Sequence, residues 1–146
     1  MDFFTAMEVS ASGMAAERTR LNVASSNLAN ASSTTSANGQ GPYRRKDVVV
    51  SSAPTTTRVS GGRAGAVAGE AFSAIVTAIK EDTSPPRLEF DPGHPDANAD
   101  GYVAYPNVNV VEEMVDMITA SRAYQAGVTA LDSTINMAER ALGIGK

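Results

Sequence analysis

The densest run of side chains able to do chemistry is Asp91-Pro92-Gly93-His94-Pro95-Asp96-Ala97-Asn98-Ala99-Asp100-Gly101. Asp96 to Gly101 matches the opening of an EF-hand loop, D-x-N-x-D-G, in which oxygens at alternate positions converge on a hard cation. Such a loop closes with a bidentate acid at its twelfth position. Here that position is Asn107, directly after Pro106, and Pro92-Gly93-His94-Pro95 admits no helix leading into the loop. The segment therefore reads as Asx turns closed by Gly101. His94 is the only histidine. With Asp91, Asp96 and Asp100 it has no further imidazole or thiol to build a strong metal site, so it reads as a turn histidine satisfied by a local carboxylate. No metal and no cofactor are expected.

Covalent catalysis finds no better support. No serine sits in G-x-S-x-G, and none is near His94 in sequence. Gly61-Gly62-Arg63-Ala64-Gly65 lacks the Lys-Ser/Thr ending of a phosphate loop and opens no helix pattern. The acid pairs Glu81-Asp82 and Glu112-Glu113 read as a solvated loop and a helix start. The chain is expected not to be an enzyme.

The balance of charge is also restrictive. The 146 residues carry a net charge of −4, and the densest basic run is Arg44-Arg45-Lys46, too short for a broad phosphate-reading surface. No nucleic-acid partner is expected. No apolar run approaches the ~18 residues that a membrane span needs. The start, Met1-Asp2-Phe3-Phe4, is acidic and lacks the apolar core of a cleaved signal peptide. Cysteine is absent, which removes disulfides and thiolate chemistry without fixing a compartment. Aromatics make up only 5% and tryptophan is absent, so a large self-contained core is hard to build from the 42% of hydrophobic residues.

What must position these residues is legible as three segments. In the first, Phe4, Met7, Ala11, Met14, Arg18, Leu21, Ser25 and Leu28 follow spacings of three and four, and Met7, Met14, Leu21 and Leu28 recur every seven residues. This is a heptad-like stripe on a long amphipathic helix, with Val9, Ala16 and Val23 as a second row. Arg18 interrupts the seam and is expected to snorkel or to meet a neighbouring carboxylate. The helix should end near Ala29 to Ser32, where serines, threonines, Gly39, Gly41 and Pro42 break the period.

The second segment reads as a strand over Arg45–Ser51, a glycine-rich loop at Gly61–Gly65, a strand over Phe72–Ile79, and turns around Pro85-Pro86 and Pro92-Gly93. The third begins with a capping box, Asn109 with Glu112, and carries the stripe Met114, Met117, Ser121, Tyr124, Val128, Leu131, Ile135, Ala138 and Leu142. Gly143 and Gly145 are the expected stops. A helix of ~34 residues is about 50 Å long, too long for a chain of this size to bury alone.

The resulting fold class is mainly α with a β-rich insert. Residues 1–31 and 107–146 form one discontinuous domain, an antiparallel coiled-coil pair, and 32–106 a small irregular β domain with long loops. The stripes nominate an assembly interface: Met7, Met14, Leu21, Asn27, Leu28 and Asn30 on the first helix, and Met114, Met117, Tyr124, Val128, Leu131, Ile135 and Leu142 on the second. Val9, Val23 and Ile118 lie outside what two helices can bury together, so further copies or relatives are expected to cover them.

These residues also carry a resemblance. SASGMAAERTRLNVASSNLANASST, Ser10 to Thr34, resembles the N-terminal signature of bacterial flagellar axial proteins, with Asn27 and Asn30 its most recognisable part. VNVVEEMVDMITASRAYQAGVTALDSTINMAERAL, Val108 to Leu142, resembles the matching C-terminal signature. GPYRRKDVVV from Gly41 and SPPRLEFDPGHPDANADGYVAYPNV from Ser84 are similar to the C-type proximal-rod branch of that family. The resemblance implies a structural subunit of the proximal rod, in the basal body where the rod crosses the periplasm, exported unfolded and without a cleaved signal peptide. It implies terminal helices packed around the export channel with the insert outside them. The partners would be copies of itself, other rod proteins and the flagellar type III export apparatus. Asn27 and Asn30 would act as a polar register device, bonding between subunits. The alternatives are another short rod or hook-related axial protein, or, from a different class, a small calcium-responsive binding module on a helical hairpin.

Overall fold

The computed structural model describes residues 3–36, 39, 41–55 and 71–144. The Gly61–Gly65 loop and the Gly145 stop lie outside these residues.

The first helix, α1, spans Phe3–Ala29. It contains one glycine and no proline, so nothing interrupts its ladder of hydrogen bonds. It ends where the Asn30 side chain turns back to donate to the Ser26 carbonyl at 2.8 Å and accepts from the Ser33 hydroxyl at 3.2 Å. Two strands follow, β1 (Lys46–Pro54) and β2 (Phe72–Glu81), then two short ones, β3 (Arg87–Phe90) and β4 (Tyr102–Tyr105), then the second helix, α2, over Val110–Ile144. Asn109 caps α2 by accepting from the Val111 N–H at 3.1 Å. The expected partner, Glu112, is exposed. Gly143 does not end α2, which runs on to Ile144.

The strands make two separate antiparallel hairpins. β1 pairs with β2 from Lys46↔Glu81 to Pro54↔Phe72, with a bulge at Val49/Val50. β3 pairs with β4 from Arg87↔Tyr105 to Phe90↔Tyr102. Two α1 side chains anchor the first hairpin. Ser12 accepts from the Ala74 N–H at 3.1 Å, and Asn27 bonds both backbone groups of Lys46. Fifteen helical residues span about 22 Å, close to the roughly 20 Å that β1 covers from Lys46 to Ser52, the register partner of Ala74. The second hairpin is different. Among the described residues, no Cα of β3 or β4 comes within 8 Å of a Cα in either helix or in the first hairpin. A hydrogen bond of 2.7 Å from the Thr34 hydroxyl to Asp96 ties its loop to the segment after α1.

The helices run antiparallel. Asn27 near the end of α1 bonds Glu113 near the start of α2, and Met14 packs against Gly127. The buried seam lies off the main stripes, one position away at Thr5, Ala24, Asn27, Glu113 and Ala120, while Ala16 belongs to the expected second row. On α1 the buried residues are Thr5, Ala16, Ala24 and Asn27, whereas Phe4, Ala11, Arg18 and Ser25 are exposed. On α2 they are Glu113 and Ala120, while Met114 is 50% exposed. The reason is steric. Small residues let the backbones approach, and larger side chains one position away flank the contact. Among the described residues, the buried apolar ones are four alanines, Val103 and Pro106. Sixteen large apolar side chains among them are exposed, more than a self-sufficient monomer shows as scattered single residues.

Candidate assembly site

The strongest constellation is a polar node where α1, the segment entering β1 and the first turn of α2 meet. Asn27 is 1% exposed, as is Glu113. An amide side chain offers two N–H donors and two acceptor lone pairs, and Asn27 uses all four. Its Oδ1 accepts from the Lys46 N–H and the Tyr43 hydroxyl, each at 2.9 Å. Its Nδ2 donates to the Lys46 carbonyl at 2.8 Å and to Glu113 Oε2 at 3.0 Å. The other oxygen of Glu113, Oε1, accepts from Arg45 Nε at 2.6 Å, a charge-assisted contact.

Helix periodicity puts Asn27 on the inner face of α1, and Glu113 shares the inner face of α2 with Met117 and Ala120. The Gly41-Pro42 turn leads the chain out to Tyr43 and Arg45. Partial burial works against the charge of the Arg45 guanidinium. The hydrogen bond and charge of Glu113, with Asp47 and Asp116, outweigh it and raise its pKa above the ordinary arginine value. A buried carboxylate without that partner would be costly, by several kcal/mol or more. The node therefore specifies one register, because any slip of α2 along α1 separates these groups.

This assigns Asn27 a use other than the expected bonding between subunits, since its hydrogen-bonding capacity is spent within the chain. Asn30 caps α1 locally. Met7, Leu28, Val128, Leu131 and Ile135 are half-buried, as are Met14 beside Gly127 and Leu21 beside Met117. Leu142 is 78% exposed and Met114 50%, so neither is buried in the seam within the chain, and Tyr124 is 38% exposed at its edge. Tyr43, Arg45, Lys46 and Glu113 were not nominated from sequence. A weak signal existed: counting back by three and four from Ala120 through Met117 reaches Glu113, not Met114.

The turn at Asp91–Gly101 is held by its own backbone. Asn98 Oδ1 accepts from the Asp100 and Tyr102 N–H groups at 3.0 and 2.9 Å, and Gly101 has a φ of 80°. A Cβ at Gly101 would lie 2.9 Å from the Phe90 ring. His94 Nδ1 accepts from the Asp96 N–H at 3.1 Å and its ring meets Tyr105 edge-on, so its partner is backbone and not the expected carboxylate. Among the described residues, no three His, Asp or Glu side chains are grouped to hold a metal ion. No helix among them is long and apolar enough to cross a membrane.

Two family models match the two ends that the node joins. Residues 7–37 match the flagella basal body rod protein family, and residues 99–144 match the C-terminal region of the flagellar basal body rod FlgEFG proteins. Both matches fall mainly on the helical pair. Full-length relatives are more specific. The flagellar basal-body rod protein FlgC of Bacillus subtilis is 42% identical, with all of both chains covered. FlgC of Salmonella typhimurium is 41% identical over all of both chains, and FlgC of Borreliella burgdorferi is 39% identical over 99% of this chain and 98% of its own. This chain belongs to the FlgC family of flagellar basal-body rod proteins.

Proposed function

We propose that the chain is a structural subunit of the proximal rod, assembling through its terminal helices around the export channel with other copies and other rod proteins. In this reading residues 1–31 and 107–146 act as one discontinuous domain, and 32–106 lies outside it. The chain reaches the rod unfolded, through the flagellar type III apparatus. The observation that carries the reading is the apolar surface left on the helical pair: Val111, Met114, Val115 and Ile118 are all exposed on one side of α2. A face of this kind is stable in water only when something covers it. The interface residues nominated from sequence divide accordingly. Met114, Tyr124 and Leu142 face outward toward neighbours, and Asn27 serves the chain's own register.

Electron microscopy of purified basal bodies with this chain tagged in the insert tests the reading. Density at the membrane-proximal end of the rod, outside a helical inner tube, is the expected result. A tag located in the hook, or absent from the basal body, overturns it.

A further inference from the structure

The middle of the helical pair carries an unusual local charge. Arg18 and Arg122 are both exposed. Neither has an acid three or four residues away on its own helix: Arg18 has Met14, Ala15, Leu21 and Asn22, and Arg122 has Ile118, Thr119, Gln125 and Ala126. Neither enters an ion pair among the described residues. The antiparallel register set by Asn27 with Glu113 and Met14 with Gly127 brings the two arginines to the same level of the pair. Between the helices at that level lies a shallow groove of about 420 Å³, floored by Leu21, Met117, Ile118 and Ser121 and edged by Arg122 and Gln125. It is an apolar strip with a cation, Arg122, on its rim, in a chain whose net charge is negative.

The complementary surface is present on the same chain. Leu88 and Phe90 of β3 face Ala104 and Tyr102 of β4 across the ladder, which puts all four on one side of the hairpin. Leu88 and Phe90 are more than 60% exposed. Residues 87–101 carry Glu89, Asp91, Asp96 and Asp100 against the single cation Arg87. Among the described residues, no Cα of this hairpin lies within 8 Å of a Cα in either helix; Val103 on its other side is buried, and Asp96 is held by Thr34. The face of Leu88, Phe90 and Tyr102 and the acids Asp91 and Asp100 are exposed and open to a neighbour.

We propose that the groove edged by Arg122, at the level of Arg18, docks the β3–β4 hairpin of a second copy of this chain. Leu88, Phe90 and Tyr102 cover Leu21, Met117 and Ile118, and the loop acids neutralise the two arginines. The contact joins two different patches, so it cannot close on itself as a two-fold dimer does. It propagates head to tail into a ring or an open helix. The proposal rests on the rod-subunit reading and names the contact by which copies follow one another.

Sedimentation of the full-length chain over a range of concentrations tests it, with the chain as its own probe. Arg18→Glu with Arg122→Glu should weaken self-association at least tenfold, and so should Asp91→Lys with Asp100→Lys. The chain carrying all four reversals should return to within about threefold of the original. Loss of affinity without rescue in the fourfold variant overturns the pairing, as does unchanged affinity in either double variant. Rescue of Arg18→Glu/Arg122→Glu by Glu112→Lys instead assigns the groove to the start of α2 and overturns the hairpin. If a charge variant does not fold, Leu88→Ser, at a position exposed in the single chain, supplies the same readout. A wild-type chain that stays monomeric at every concentration overturns this contact, whereas the rod reading stands or falls on the chain's position in the basal body.

Discussion

One end of the helical pair and its middle are held by opposite kinds of interaction. At the end where α1 finishes, Asn27, Glu113, Arg45 and Tyr43 form a buried set in which each group answers another. Halfway along, the contact is steric: Met14 lies over Gly127, where an added Cβ would meet Met14 Cγ at 2.7 Å. Beyond it, Phe4 and Met137 stand largely exposed. The polar end fixes which residues meet, and the small-residue stretch sets how closely the backbones approach. Specific register and close approach are thus supplied by different residues, so each can be disturbed without the other.

The most disruptive change should be Asn27→Ala. It strands the Lys46 backbone, the Tyr43 hydroxyl and one oxygen of Glu113 in a site where a buried unpaired group costs about 1–3 kcal/mol. Partial rehydration limits the total to about 3 kcal/mol. Urea unfolding followed by circular dichroism measures it. A loss under about 0.5 kcal/mol would show that the polar end does not set the register.

Leu131→Asp tests the far half of the pair. Leu131 is half-buried, so a carboxylate there should cost less, about 2 kcal/mol. Amide exchange should rise along the second half of α2 while the β1–β2 hairpin keeps its protection, and rod assembly should fail. Normal motility from this variant contradicts the seam.

Gly127→Ala should change stability by no more than about 1 kcal/mol, because the gain in helix propensity opposes the crowding of a flexible methionine. Met14→Ala in the same chain should let the propensity gain show. If the single substitution destabilises by several kcal/mol, the close approach is rigid and not adjustable.

The smallest effect reports on the polar end from outside. The side-chain and backbone hydrogen bonds from Ser84, then the charge of Arg45, hold the Asp82 carboxyl below its usual 3.8. A depressed carboxyl pKa contributes stability that is present above the unfolded value and is lost as pH falls through the folded one. Ser84→Ala should raise the Asp82 pKa toward the ordinary value and flatten the pH dependence of stability below about pH 4. An NMR titration that shows no change with Ser84→Ala would remove the Ser84 hydroxyl as a cause.

Much of the architecture was legible because hydropathy repeats at helical spacing over both ends of the chain, and Val48-Val49-Val50 marks a strand. The rotation of the seam was not. A hydropathy stripe follows large apolar residues, and here those sit beside the contact while alanines, Thr5, Asn27 and Glu113 occupy it. The node was illegible for a second reason. Asn27 and Glu113 are distant in sequence, and only the spacing back from Ala120 through Met117 tells Glu113, which is buried, from Glu112, which is exposed. Arg45 gave only half its meaning, as one member of a basic run.

The pairing of Asn27 with Lys46 has a consequence for the sheet. Its amide offers Lys46 one acceptor and one donor, as the peptide group of an adjoining strand would. Two residues along, Asp47 Oδ1 accepts from the Val48 N–H at 3.0 Å. The outer margin of β1 is therefore occupied by side chains over its first three residues, up to the bulge at Val49/Val50. An unprotected margin is a template for stray strands and for aggregation. Here the residue that aligns the helices also limits growth of the sheet, so that margin stays open to aggregation until α1 has formed beside it.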